Sequence, residues 1–76
     1  MSSLYEQVIG VAKPYLGLVT EQFVARQCTA HLKVQPQALT PAQIPELAKW
    51  VEISGALVMD KAKAAELKEK ILKLAA

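Results

Sequence analysis

The sequence predicts a small all-α protein, a bundle of three to four helices that forms one domain over residues 1–76. Apolar residues recur three and four positions apart through most of the chain, which is the period of an amphipathic helix, and no segment alternates as a β-strand does. Proline, glycine and N-capping residues divide this pattern. The predicted helices span about residues 3–16, 18–34, 41–59 and 61–74.

The first predicted helix begins at a capping box. Ser3 is placed as the N-cap and Glu6 as the third helical residue, so that each side chain can satisfy the other residue's backbone N–H. Pro14 and Gly17 bracket the end of this helix, which predicts a kink or turn across "KPYLG".

The second predicted helix has an apolar arc that Gln27 and His31 interrupt, one turn apart. Two explanations stay open: a partly exposed pair beside the next helix, or a pH-sensitive or specificity-giving contact at an interface. Cys28 and His31 also form a C-x-x-H spacing. A metal site or an activated nucleophile needs further His or Cys residues, which the sequence lacks, so no metal or cofactor is expected.

The third predicted helix follows the linker "KVQPQALTPAQ" and has several independent start signals. Thr40 is the N-cap, Pro41 occupies the first helical position and Gln43 completes a second capping box. Leu39 and Ile44 are spaced for a hydrophobic staple across this start.

This third helix is apolar on two sides. One stripe comprises Ile44, Leu47, Ala48, Val51, Gly55 and Val58. The second stripe comprises Trp50, Ile53 and Leu57. Either the helix is buried all round, or the second stripe meets another copy or another protein, for which tryptophan is a favoured anchor. A bundle of a few short helices seldom buries one helix on both sides, which favours the second explanation.

The fourth predicted helix has Asp60 as its N-cap candidate. Its apolar residues form a heptad-like seam of Ala64, Leu67, Ile71 and Leu74, and lysines, including Lys63 and Lys70, flank that seam. Lysine stems can shield a core seam, or the seam can bind an acidic partner helix.

Chain length, cysteine count and net charge limit the classes of function that the chain can have. A chain of 76 residues buries only ~60% of its unfolded surface, and one cysteine excludes an internal disulfide, so helix packing or oligomerisation must stabilise it. The net charge of +2 is spread evenly over the two halves, unlike the basic field of a nucleic-acid binder. The sequence has no secretory signal and no run of ~18 apolar residues, and its cysteine is free, which predicts a cytoplasmic protein without a membrane partner.

Three segments carry a family resemblance: "YLG" at residues 15–17, "FVARQ" at 23–27 and "LTPAQIPELAKWVEISGAL" at 39–57. Together they resemble a small helical domain found at the C-terminal end of bacterial multidomain signalling proteins, some with kinase or receiver domains. The chain departs from that pattern at Leu18, where a proline is typical. The resemblance implies an interaction or signalling module and brings no catalytic residues.

No enzyme is expected, because the chain has no Ser-His-Asp set, no close acid pair and no glycine-rich phosphate loop. The leading hypothesis is a non-catalytic protein–protein interaction module that forms a homodimer through Trp50, Ile53 and Leu57, helped by the last helix. The interface would then include Leu67, Ile71 and Leu74.

Two alternatives remain. The first is an adaptor that binds an acidic or amphipathic helix through the seam flanked by Lys63 and Lys70. The second is a nucleic-acid-binding helical domain, against which stand a long inter-helix loop and the scarcity of base-reading side chains on the third helix.

Overall fold

The computed structural model describes residues 3–75, and within this range the chain is helical and contains no strand. Its α-helices are α1 (Leu4–Leu16), α2 (Thr20–Arg26), α3 (Ile44–Gly55) and α4 (Lys61–Leu72). The prediction of a small all-α bundle is therefore confirmed.

The start and end of α1 follow local sequence chemistry. The predicted capping box is present: the Glu6 N–H donates to Ser3 Oγ at 3.1 Å, and the Ser3 N–H donates to Glu6 Oε1 at 3.3 Å. Pro14 lies inside the helix, which continues to Leu16. The chain turns instead at Gly17, whose φ of 62° and ψ of −128° suit a residue without a Cβ.

The second helical region differs from the prediction of one helix over residues 18–34. After a 3₁₀ turn at Gly17–Val19, α2 is α-helical only to Arg26, and Gln27–Leu32 continue as a π-helix, called here the π segment. The Lys33 N–H donates to the carbonyl of Cys28, five residues earlier, and Lys33 itself is left-handed with φ of 56°. Hydrophobic spacing did not reveal this change of helix type.

The start of α3 agrees with the sequence signals. Thr40 and Gln43 form the predicted capping box, in which Gln43 Oε1 accepts from the Thr40 N–H at 3.0 Å. Their 3₁₀ turn leads directly into α3. Leu39 and Ile44, the predicted staple residues, are both buried in the core.

The end of α3 differs from the predicted boundary at residue 59. The helix ends at Gly55, and residues 56–58 form a turn. Val58 therefore leaves the inner stripe to which helical spacing assigned it, and 65% of its surface is exposed. Gly55 itself lies where α3 meets α4, because a Cβ there would be 3.6 Å from Ala64 Cβ.

The start of α4 lacks the predicted side-chain cap. Asp60 occupies the N-cap position, but its carboxylate makes no capping hydrogen bond, and only its backbone carbonyl accepts from Ala64, at 2.9 Å. An ion pair joins α4 to α3, with Lys68 Nζ 3.5 Å from Glu52 Oε1. The helix ends at Leu72 and is followed by a 3₁₀ turn at Lys73–Ala75.

The core collects side chains from all the helices. Its members are Val8, Ala12, Val24, Cys28, Leu39, Ile44, Leu47, Ala48, Val51, Leu67 and Ile71. The placement of Leu67 and Ile71 at an intermolecular interface is thereby corrected, because both are fully buried inside the chain itself. Leu74 is partly buried and packs against the same core. The seam of α4 is therefore a core seam in the folded chain.

Candidate functional site: an apolar patch on α3 and its clasp to the π segment

An apolar surface lies at the C-terminal end of α3 and on the turn that follows. Ile53, Leu57 and Val58 expose 48%, 86% and 65% of their surface. Trp50 precedes Ile53 by three residues on the same helix, so the two side chains are neighbours on its surface. We call Trp50, Ile53, Leu57 and Val58 the α3 patch.

Trp50 is only partly exposed, because an internal contact covers one face of its ring. The His31 imidazole stacks on the indole, with ring centroids 4.0 Å apart and planes inclined by 7°. Lys49 Nζ lies 5.9 Å from the Trp50 ring centroid, within reach of a cation–π attraction. Trp50 therefore has two environments: one face of its ring packs on His31 inside the fold, and the rest of the side chain belongs to the α3 patch. The sequence had placed Trp50 on the second apolar stripe without indicating the contact with His31.

Gln27 makes a second contact between the π segment and α3. Its side chain is 3% exposed, and its Oε1 accepts a hydrogen bond of 3.1 Å from the Ser54 hydroxyl. Its Nε2 donates to the carbonyl of Phe23 at 3.3 Å. Both ends of this buried amide are satisfied, as an amide inside a core requires.

The Gln27–Ser54 hydrogen bond and the His31–Trp50 stack form what we call the clasp. Gln27 and His31 are four residues apart, as are Trp50 and Ser54, and the order is reversed, so the π segment and α3 meet antiparallel. The sequence singled out Gln27 and His31, and it indicated Ser54 only as a small residue that permits close approach of another helix, not as the partner of Gln27. Trp50 and Ser54 have the same four-residue spacing as Gln27 and His31, and this match could have indicated that the two pairs meet.

Lys63 and Lys70 of α4, the lysines predicted to flank a partner-binding seam, differ from each other in their surroundings. Lys63 is exposed. Lys70 Nζ lies 5.1 Å from the Tyr15 ring centroid and 3.8 Å from Glu66 Oε1. A cleft of about 450 Å³ separates α1 from α4 here, lined by Pro14, Tyr15, Met59, Asp60, Lys63, Glu66 and Lys70. Its charges of both signs offset one another, so the cleft does not select an acidic partner.

Cys28 follows Gln27 in the π segment and is a free, fully buried thiol in the core. Burial raises the pKa of this thiol. The pKa of Tyr5 is also raised, first by burial and then by the nearby charges of Glu21 and Cys28.

Among residues 3–75, no group of three or more His, Cys, Asp or Glu side chains is arranged to hold a metal ion.

These two raised pKa values predict a loss of stability at alkaline pH. The unfolded chain releases the Cys28 proton near the ordinary value of 9.0, whereas the folded chain keeps it to higher pH, so the folded state binds more protons in that window. The contribution of these two groups to the free energy of unfolding is expected to stay level below about pH 9 and to fall above it, with Tyr5 adding to the fall above its ordinary value of 10.0.

Urea denaturation at a series of pH values checks this expectation. Cys28→Ala is the matched variant: it lowers stability throughout but should show a flatter decline just above pH 9, because the thiol is gone. Equal slopes in the two proteins would contradict the assignment to Cys28.

Comparison with known proteins yields no significant match to a family model, to a curated protein or to a solved structure. Among the helices of the described residues, none has the length and apolar character needed to cross a membrane.

Proposed function

We propose that the chain is a non-catalytic protein–protein interaction module that forms a homodimer through the α3 patch. The observation that carries this proposal is the exposure of Leu57 and Val58, 86% and 65%, on the turn that follows the helix bearing half-exposed Ile53. Exposed apolar surface is typical of surfaces that bind protein, and the α3 patch, unlike the exposed pair Leu18 and Val19, includes a tryptophan, a favoured interface anchor. The resemblance to a bacterial signalling domain supports a role in signalling or complex assembly, and the free Cys28 is consistent with the reducing cytoplasm.

The choice of a second copy as partner has a symmetry argument. In a two-fold dimer the same patch faces itself, so its residues must be complementary to their own copies. Ile53, Leu57 and Val58 meet this condition because apolar side chains attract one another. A row of lysines such as Lys61, Lys63 and Lys70 would instead repel its copy.

The adaptor alternative has less support. It requires the α4 seam to face a partner helix, yet Leu67 and Ile71 are fully buried in the chain's own core. Lys70 already contacts Tyr15 and Glu66. A nucleic-acid-binding role has no concentrated basic face to support it, since each half of the chain carries a net charge of only +1.

Sedimentation equilibrium over a wide range of protein concentration tests the homodimer. The wild-type mass is expected to rise toward that of a dimer. Leu57→Asp places a charge in the centre of the patch and should raise the dissociation constant at least ~10-fold, because a buried unpaired carboxylate opposes association.

Leu18→Asp is the matched control, since Leu18 is fully exposed on the turn after α1 and lies outside the patch. This variant should associate as the wild type does, and circular dichroism should show that both variants fold. A monomeric wild type at every concentration, or equal effects of the two aspartates, would refute the proposal.

A further inference from the structure

The π segment is an unusual element that the proposed dimer does not by itself explain. π-Helices are rare, occur mostly as single-turn bulges and are frequent at functional sites. Here six consecutive residues, Gln27–Leu32, adopt this form at the end of α2. The clasp, which joins this segment to α3, is a tertiary contact that can favour the π form over the ordinary α-helical one.

We propose that the π segment is a hinged cover over Trp50, which opens as a unit and completes the α3 patch for a second copy of the chain. The identity of the partner rests on the proposed function, but the opening of the cover does not. Lys33, left-handed at the end of the segment, and the loop after it provide the hinge, since that loop contains only a short 3₁₀ turn before Thr40.

Two kinds of contact hold the cover closed, the clasp and the packing of the segment's own residues in the core. One side-chain hydrogen bond and one aromatic stack on the exposed His31 form the clasp. Each contact favours the closed form by a factor of roughly 2 to 10. Opening must also expose Cys28, a fully buried core residue of the segment itself, and Leu32, which packs against the core. The closed form therefore dominates, and we expect local opening to be more frequent than complete unfolding because α1, α3 and α4 can keep their mutual contacts.

The exposed part of the α3 patch is small for a dimer interface, and opening of the cover would enlarge it. A standard interface buries ~800 Å² on each partner, about a sixth of this chain's accessible surface of 4780 Å². Ile53, Leu57 and Val58 supply only three aliphatic side chains. An aromatic side chain buries ~150–250 Å², so freeing the covered face of Trp50 enlarges the apolar centre of the interface substantially.

The chain contains one cysteine, which gives a direct probe of opening. The experiment measures the rate at which a small, water-soluble aromatic disulfide reacts with Cys28 in the full chain, at concentrations where it is monomeric. We expect labelling far slower than that of an exposed thiol, and less dependent on urea than global unfolding, because local opening exposes little surface.

Ser54→Ala removes the hydrogen bond to Gln27 and should accelerate labelling roughly 2- to 10-fold. Glu46→Ala is the matched control, because Glu46 is an exposed residue of α3, as far from the segment as the first turn of that helix, and takes no part in the clasp. Labelling that follows the urea dependence of global unfolding, with equal effects of the two variants, would overturn the cover.

His31→Ala tests the link to association. Loss of the imidazole should shift the emission of Trp50 to longer wavelength, increase its quenching by acrylamide and lower the dimer dissociation constant. Weaker association would show that His31 belongs to the interface, which overturns the cover while leaving the dimer intact. If every variant is monomeric, the proposed dimer fails, and the Cys28 labelling rates still decide whether the cover opens.

Discussion

Leu67→Ala is expected to lower the free energy of unfolding by about 2–5 kcal/mol, because it removes fully buried methyl groups and leaves a cavity. Leu67 lies on α4 in the core cluster, together with Val51 of α3 and Val8 of α1. A chain of 76 residues has a total stability of roughly 4–11 kcal/mol, so this one change removes a large part of it. Urea denaturation followed by circular dichroism measures the loss.

Leu57→Ala is the matched control, since it removes the same atoms from a side chain that is 86% exposed. Its effect on monomer stability should stay within about 0.5 kcal/mol, whereas dimer association should weaken. The two leucines thus separate folding from binding. A large loss of stability in Leu57→Ala, or none in Leu67→Ala, would contradict the division between core and surface.

Local chemistry made much of this fold predictable. The capping boxes at Ser3 and Thr40 depend on residues three positions apart, so the helix starts could be read without knowing the tertiary structure. Helical spacing likewise identified Leu47 and Val51 as inward-facing residues of α3, and both are buried. Such features depend on near neighbours in the chain, which is why sequence reasoning recovers them.

The features that the sequence did not predict depend on tertiary contacts. Leu67 and Leu57 each lay on an apolar stripe, and spacing alone could not show that the first would be buried by the chain and the second left exposed. The π form of residues 27–32 was equally inaccessible, because the apolar spacing of a π-helix differs little from that of an α-helix over so few residues. For the candidate site, the exposure of Ile53 remained an open alternative in the sequence, and the His31–Trp50 stack was not foreseen.

Trp50→Ala is expected to weaken dimer association by about 2 kcal/mol or more, roughly a 30-fold rise in the dissociation constant, if the indole anchors the interface as proposed. It should also destabilise the monomer, since the stack on His31 is lost; that contact alone is worth ~0.5–1.5 kcal/mol. Sedimentation equilibrium and urea denaturation by circular dichroism measure the two effects separately. Trp50→Phe keeps an aromatic face and should lie between alanine and the wild type in both.

A double-mutant cycle with His31→Ala and Trp50→Ala distinguishes the two roles of the indole. In the monomer, the coupling energy between the two changes should be ~0.5–1.5 kcal/mol, because each removes the same stack. In the association equilibrium the single changes should act in opposite directions, since one uncovers the anchor and the other removes it. If Trp50→Ala lowers monomer stability but leaves the dissociation constant unchanged, the indole serves the clasp alone, and the interface must then centre on Leu57 and Val58.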